Sequence, residues 1–172
     1  MIILGVDQGL ANIGFAIVKD ENGELSLLEH GCFTTKPKDE LSVRLEKIYQ
    51  KIKHILRLFN EVHDVKIDGI AMEELFVGFN KNEGLYHRST SIVTTSMVTG
   101  VITLLGQQEG ISTYRYTPTT VKKNVCNNGR AKKEDIAESI YKMFKTTHFK
   151  YDHECDATAI ACTCLIKNRK EV

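Results

Sequence analysis

The 172 residues are enough for one domain with a buried core, and 42% hydrophobic against 26% charged side chains is the balance of an ordinary globular chain. A formal net charge of +1 excludes attraction of a polyanion by the field of the whole molecule, so contact with nucleic acid has to come from a local patch.

The first apolar run, residues 2–6, ends at Asp7, and a turn around Gly9 leads into a second β-rich run at 13–18. Asp20-Glu21-Asn22-Gly23 supplies a hairpin turn, and residues 24–35 read as a third strand, giving an antiparallel meander. The period then changes. Leu41, Leu45, Ile48, Ile52, Ile55, Phe59 and Val62 recur at steps of four and three, predicting a long amphipathic helix with Pro37 and Asp39 marking its start. Residues 67–72 form a short apolar run closed by Glu73 and read as a buried strand. Residues 77–88 have turn chemistry without a period and read as a loop. A helix over about 89–108, a strand at 111–116, a short helix at 118–125, a turn at Asn127-Asn128-Gly129 and two helices at about 132–144 and 154–167 complete the order.

A meander joined through a helix to further strands predicts an α/β fold, with a five-stranded mixed sheet flanked by helices. The helix after the third strand lets the fourth return parallel to the first by a right-handed crossover. No repeat or linker interrupts the chain, so residues 1–172 are expected to form a single domain. The five cysteines, Cys32, Cys126, Cys155, Cys162 and Cys164, contain no C-x-x-C pair, which fits neither a zinc site nor a disulfide framework. Their odd count, the absence of a leader after Met1 and the lack of a bilayer-spanning stretch predict a cytoplasmic protein.

Asp7 and Glu73 each close an apolar strand. If those strands are parallel neighbours, the carboxylates emerge together at the carboxyl edge of the sheet, where open α/β sheets hold ligands. Asp152-His153-Glu154-Cys155-Asp156 opens the last helix, and His153 and Asp156, three residues apart, share one face. Docking that helix start against the edge would gather Asp7, Glu73, His153 and Asp156. Crowded carboxylates repel one another and call for a cation, and an oxygen-rich set with one imidazole suits Mg²⁺ or Mn²⁺. Asp152 and Glu154 read as acids that complement the helix start, and Glu73 rather than Glu74 is the inward residue by strand alternation. Between residues 111 and 133 the chain carries Arg115, Lys122, Lys123, Arg130, Lys132 and Lys133 with no acid, a one-signed segment suited to phosphates. Phe76, Phe79 and Tyr86 flank the same edge and could stack on unpaired bases.

Gly5-Val6-Asp7-Gln8-Gly9-Leu10-Ala11-Asn12-Ile13-Gly14 resembles the opening motif of RuvC-type Holliday junction resolvases, within the ribonuclease H-like nucleases. Glu73-Glu74-Leu75-Phe76 resembles their E-x-x-F motif, Val121-Lys122-Lys123 with Gly129-Arg130-Ala131-Lys132-Lys133 resembles their basic region, and Asp156-Ala157-Thr158-Ala159-Ile160-Ala161 resembles their last helix. The matches run in order along nearly the whole chain.

The resemblance implies a ribonuclease H-like fold and a Mg²⁺-dependent endonuclease that resolves four-way junctions, with Mn²⁺ also supporting activity. Two ions per site would hydrolyse the phosphodiester to a 5′-phosphate and a 3′-hydroxyl. It implies Asp7, Glu73 and Asp156 as catalytic metal ligands. His153 falls where most members carry aspartate, so His153 or Asp152 completes the set, with His153 favoured by register. Phe76, Arg88, Arg115, Lys122, Lys123, Arg130, Lys132 and Lys133 are implied to contact DNA. A homodimer is implied too, for which the stripe from Leu41 to Val62, mainly core, is also a candidate seam. Gln8 replaces the usual proline, a change expected to matter little. The stretch after Phe76 is about eight residues longer than usual, so a relaxed branched-DNA endonuclease is the alternative, with an inactive junction-binding module or a kinase-like ATPase as further readings.

Overall fold

Alternating apolar residues at the N-terminus build β1 (Ile2–Gln8), β2 (Asn12–Glu21) and β3 (Glu24–Thr34). The β2–β3 turn takes its form from Asn22 and Gly23, both at positive φ (54° and 92°), the handedness that matches the twist of a two-residue hairpin. The computed structural model describes residues 1–75, 79–80, 85–86, 90–145 and 149–169. Within them follow α1 (Leu41–Glu61), β4 (Gly69–Glu73), β5 (Phe79–Asn80), β6 (Leu85–Tyr86), α2 (Thr90–Gln108), β7 (Ser112–Tyr116), α3 (Pro118–Cys126), α4 (Lys133–Phe144) and α5 (Asp152–Asn168).

The main sheet has the order β3-β2-β1-β4-β7. β1 pairs antiparallel with β2 and β2 with β3, whereas β4 runs parallel to both β1 and β7. This is the expected mixed five-stranded sheet. β1 is buried on both faces. Leu4 and Val6 face a core built with α1 and α2, and Ile3 faces a second core built with α3, α4 and α5.

Pro37 and Asp39 precede α1 as expected; the N-cap is Glu40, without a side-chain cap bond, and Asp39 pairs with Lys47. One local expectation changes. The stretch read as a loop contains paired backbone, with Phe79 opposite Tyr86 and Asn80 opposite Leu85, because aromatic residues favour extended pairing over the irregular path that the turn residues suggested. Asn127 ends α3 at φ 55°, a left-handed position that asparagine tolerates.

α5 crosses the sheet at unusually close range because two strand residues lack side chains. A Cβ on Gly5 would lie 2.1 Å from the Ala157 carbonyl oxygen, and one on Gly14 would lie 2.0 Å from that of His153. The glycines of β1 and β2 therefore let the start of the last helix settle onto the strand that carries Asp7. Gly14→Ala is expected to cost about 3 kcal/mol, since the neighbouring atom is helix backbone and cannot swing away. Chemical denaturation measures this, and a change below about 0.5 kcal/mol would show that the helix start is free to lift. Among the described residues no helix is long and apolar enough to cross a membrane.

Candidate active site

Parallel pairing of β1 with β4, in register from Ile3 opposite Gly69 to Val6 opposite Met72, carries Asp7 and Glu73 to the same edge of the sheet. α5, seated over Gly5 and Gly14, brings His153 and Asp156 to that edge. His153 Nδ1 lies 2.6 Å from Asp7 Oδ2. Asp7, His153 and Asp156 each offer a ligand atom within 4.8 Å of the others, a spacing that could hold a metal ion. Glu73 stands just outside this trio and lines the same cleft as Asp7 and Asp156, together with Lys122 and Lys133.

The electrostatics are those of a site short of positive charge. Burial, reinforced by the Asp7 and Asp156 carboxylates, pushes the Glu73 carboxyl up to about 7, with Lys122 pulling the other way. Burial also raises Asp156 above the ordinary carboxylate range, aided by Asp7 and opposed by Lys133. Three carboxylates and one imidazole are donors for a hard or borderline divalent cation, and the raised acids are the response of such a set when protons and lysines are the only counter-charges.

Of the two candidates for the fourth ligand, His153 is the one beside Asp7. Asp152 points elsewhere, with Oδ2 3.3 Å from Lys133 Nζ, while Lys133 also approaches Asp156 Oδ2 at 3.5 Å. Burial lowers the Lys133 pKa, but Asp156 and Asp152 outweigh it and the net shift is upward.

Glu154 lies in the first turn of α5, where an acid that complements the helix start is expected, and it is buried there as well. It is 3% exposed, and its carboxylate lies 2.8 Å from His30 Nδ1 and accepts from the Lys150 amide at 3.3 Å. The pair fastens the start of α5 to β3, which steadies the neighbouring His153. Gln8, a replacement expected to matter little, grips Glu73. It is 3% exposed, its side-chain NH₂ donates to the Glu73 carbonyl and its side-chain carbonyl accepts from the Glu73 amide at 3.2 Å. It thereby extends the β1–β4 ladder by one side-chain link and fixes the residue that carries the raised carboxyl.

The basic segment divides. Lys122 and Lys133 line the acidic cleft, and Lys123, Arg130 and Lys132 are exposed on the surrounding α3–α4 surface. Arg115 does not join them. Tyr114 and Tyr116 face the α3–α5 core, so alternation turns Arg115 to the other side of the sheet, into a cleft lined by α2 and Glu74. Phe76 and Arg88 lie outside the described residues.

A mixed sheet of this order, with acids at the ends of β1 and β4 and a last helix crossing them, is a ribonuclease H-like fold, shared with a solved RuvC structure. The chain belongs to the RuvC family: the profile described as "Crossover junction endodeoxyribonuclease RuvC" matches residues 3–164. It is 35% identical to the crossover junction endodeoxyribonuclease RuvC of Finegoldia magna, over 94% of this chain and 90% of that protein. It is 33% identical to the protein of the same name from Clostridioides difficile, over 99% and 94%. In fold it is similar to Thermus thermophilus RuvC in complex with a Holliday junction substrate, at TM-score 0.83 and 23% identity, covering 98% of this chain and 95% of that one. It is also similar to fowlpox virus resolvase bound to Holliday junction DNA, at TM-score 0.62 and 17% identity, covering 99% and 100%.

Proposed function

We propose that residues 1–172 act as one nuclease domain that resolves four-way DNA junctions in the cytoplasm, with Asp7, Glu73, His153 and Asp156 holding Mg²⁺, or Mn²⁺ in its place. The observation that carries this reading is the convergence of Asp7, His153 and Asp156 within ligand range of one another beside a Glu73 carboxyl raised to about 7. Two divalent ions, when bound, supply the Lewis acidity that activates an attacking water and stabilises the leaving 3′ oxygen, giving 5′-phosphate and 3′-hydroxyl ends. The chain's own part is to place and charge the site. Gln8 fixes Glu73, the Glu154–His30 pair steadies the helix start, and Lys122 and Lys133 at the rim neutralise the phosphates of the strand laid across the edge. His153, whose Nδ1 lies beside Asp7, would offer its imidazole as a further ligand to such an ion. The test is cutting of a synthetic four-way junction with Mg²⁺ or Mn²⁺; a purified protein that binds the junction but cuts with neither ion contradicts the reading.

Two opposed cuts call for two copies, and α2 is the face that suits a second one better than α1. Its 19 residues carry no charge. Val93, Met97 and Leu104 are 44%, 42% and 55% exposed, and with Gly100 they follow the four-three spacing of a helix–helix seam. The hydroxyls of Ser96, Thr99 and Thr103 donate to carbonyls of their own helix, which leaves the surface with few free donors. Among the described residues nothing lies within 4 Å of a Cβ placed on Gly100. An exposed mid-helix glycine costs about 1 kcal/mol relative to alanine, a cost that close approach of another helix would explain. α1, by contrast, directs Ile48, Ile52, Ile55, Leu56 and Phe59 into the core. Leu104→Asp is expected to convert the dimer into a monomer in sedimentation equilibrium; an unchanged mass would place the interface elsewhere.

A further inference from the structure

A second cleft, of about 440 Å³, adjoins the acidic one and has no part in holding the cation set beyond His153, which lines it. Lys133 lines both clefts, so they are neighbours that meet at this side chain. Its lining comes from the end of β3 (Cys32, Phe33, Thr34), from Asn12 at the start of β2, and from Tyr151 and the first residues of α5.

The lining tells what kind of group it takes. Its fixed charges are Asp152 and Lys133, in contact at 3.3 Å, and Lys133 is shared with the acidic cleft, so the charge available to a phosphate lies on that side and not deeper in this cleft. Its remaining surface is aromatic and neutral-polar. Tyr151 is 46% exposed, with the Lys150 ammonium 5.2 Å from its ring centroid, the pairing of aromatic face and cation on which bases stack. Among the described residues neither the Asn12 amide nor the Thr34 hydroxyl has a hydrogen-bond partner, and both stand ready for a base edge. The size falls within the range of about 300–1,000 Å³ usual for small-ligand clefts.

We infer that this cleft is a nucleobase subsite: it takes one unpaired base of the strand being cut, next to the phosphate at the acidic cluster, by stacking on Tyr151 and by edge contacts to Asn12 and Thr34. The inference rests on the nuclease reading for the path of the strand. It makes Tyr151 a binding residue and Asn12 and Thr34 determinants of which base is preferred at that position.

The test uses the full chain and four-way junctions carrying 5-iododeoxyuridine at one position at a time along the cut strand, irradiated while bound without divalent metal. A crosslink to Tyr151 from one position only is expected. Tyr151→Ala is expected to abolish it and to weaken junction binding about tenfold, whereas Tyr151→Phe, which keeps the stacking face, should bind within about twofold of the parent. Removing the base at the crosslinking position should weaken binding by the same factor and leave Tyr151→Ala no further effect. Tyr151 makes no side-chain cap to α5, so the alanine variant keeps the helix start. No crosslink to Tyr151 from any position, equal crosslinking from all of them, or additive losses would each overturn the subsite. Cutting with Mg²⁺ is scored on the same junctions. Cutting without the crosslink sinks the subsite alone, and the crosslink without cutting sinks the nuclease reading alone.

Discussion

Replacing Asp7 by asparagine is expected to slow junction cutting by at least about a thousandfold, on the order of 4 kcal/mol of transition-state stabilisation, while junction binding stays intact. Asp7 is the residue on which the site closes: it touches His153, raises both Glu73 and Asp156, and sits at the end of the central β1. Asparagine keeps the side-chain shape and the hydrogen bond toward His153 but removes the charge that a cation needs. Binding should be unchanged or tighter, because one negative charge leaves a surface that faces phosphates. Gel-based cutting of a labelled junction, with anisotropy for binding, separates the two effects. A variant that cuts within about tenfold of the parent would remove Asp7 from the chemistry.

The second large effect is on stability, and pH sets its size. Glu73 titrates near 7 in the folded chain against 4.5 when unperturbed. A carboxyl whose folded pKa is raised contributes stability that is complete below about 4.5 and lost as pH rises through about 7, on the order of 3 kcal/mol for this group. The metal-free protein should therefore lose stability across that window. A divalent ion that binds the deprotonated site should restore it. At a hundredfold excess over its dissociation constant it adds about 2.7 kcal/mol, or roughly 5–10 °C in Tm for a chain of this size. Melting curves with and without Mn²⁺ should diverge as pH goes from 5.5 to 8. Equal shifts at both ends of that range would mean that Glu73 plays no part in holding the ion.

Much of this was legible in the residues. Strand-ending acids and the period change after the meander put Asp7 and Glu73 at one sheet edge, where the β1–β4 register has them, because parallel strands joined by a right-handed crossover leave few arrangements. His153 and Asp156 followed from helical spacing once the last helix was docked. What the sequence hid were contacts that depend on three-dimensional partners. Glu154 and His30 are 124 residues apart, and nothing local marks either as buried. Gln8 looked like a neutral replacement in a turn, yet its amide imitates a strand backbone. Arg115 shares a one-signed segment with the lysines but is separated from them by the alternation of β7. A polar-looking α2 conceals its hydroxyls against its own carbonyls, so its apolar seam emerges only when exposure is known.

Diffraction from crystals soaked in Mn²⁺, with anomalous differences recorded near the manganese edge, puts the shared ion itself on trial. The expected peak lies within coordination distance of Asp7, Asp156 and the His153 imidazole, with Glu73 turned toward it or toward a second ion. A soaked crystal with no peak among these four side chains, or with manganese bound only elsewhere on the surface, would contradict the account.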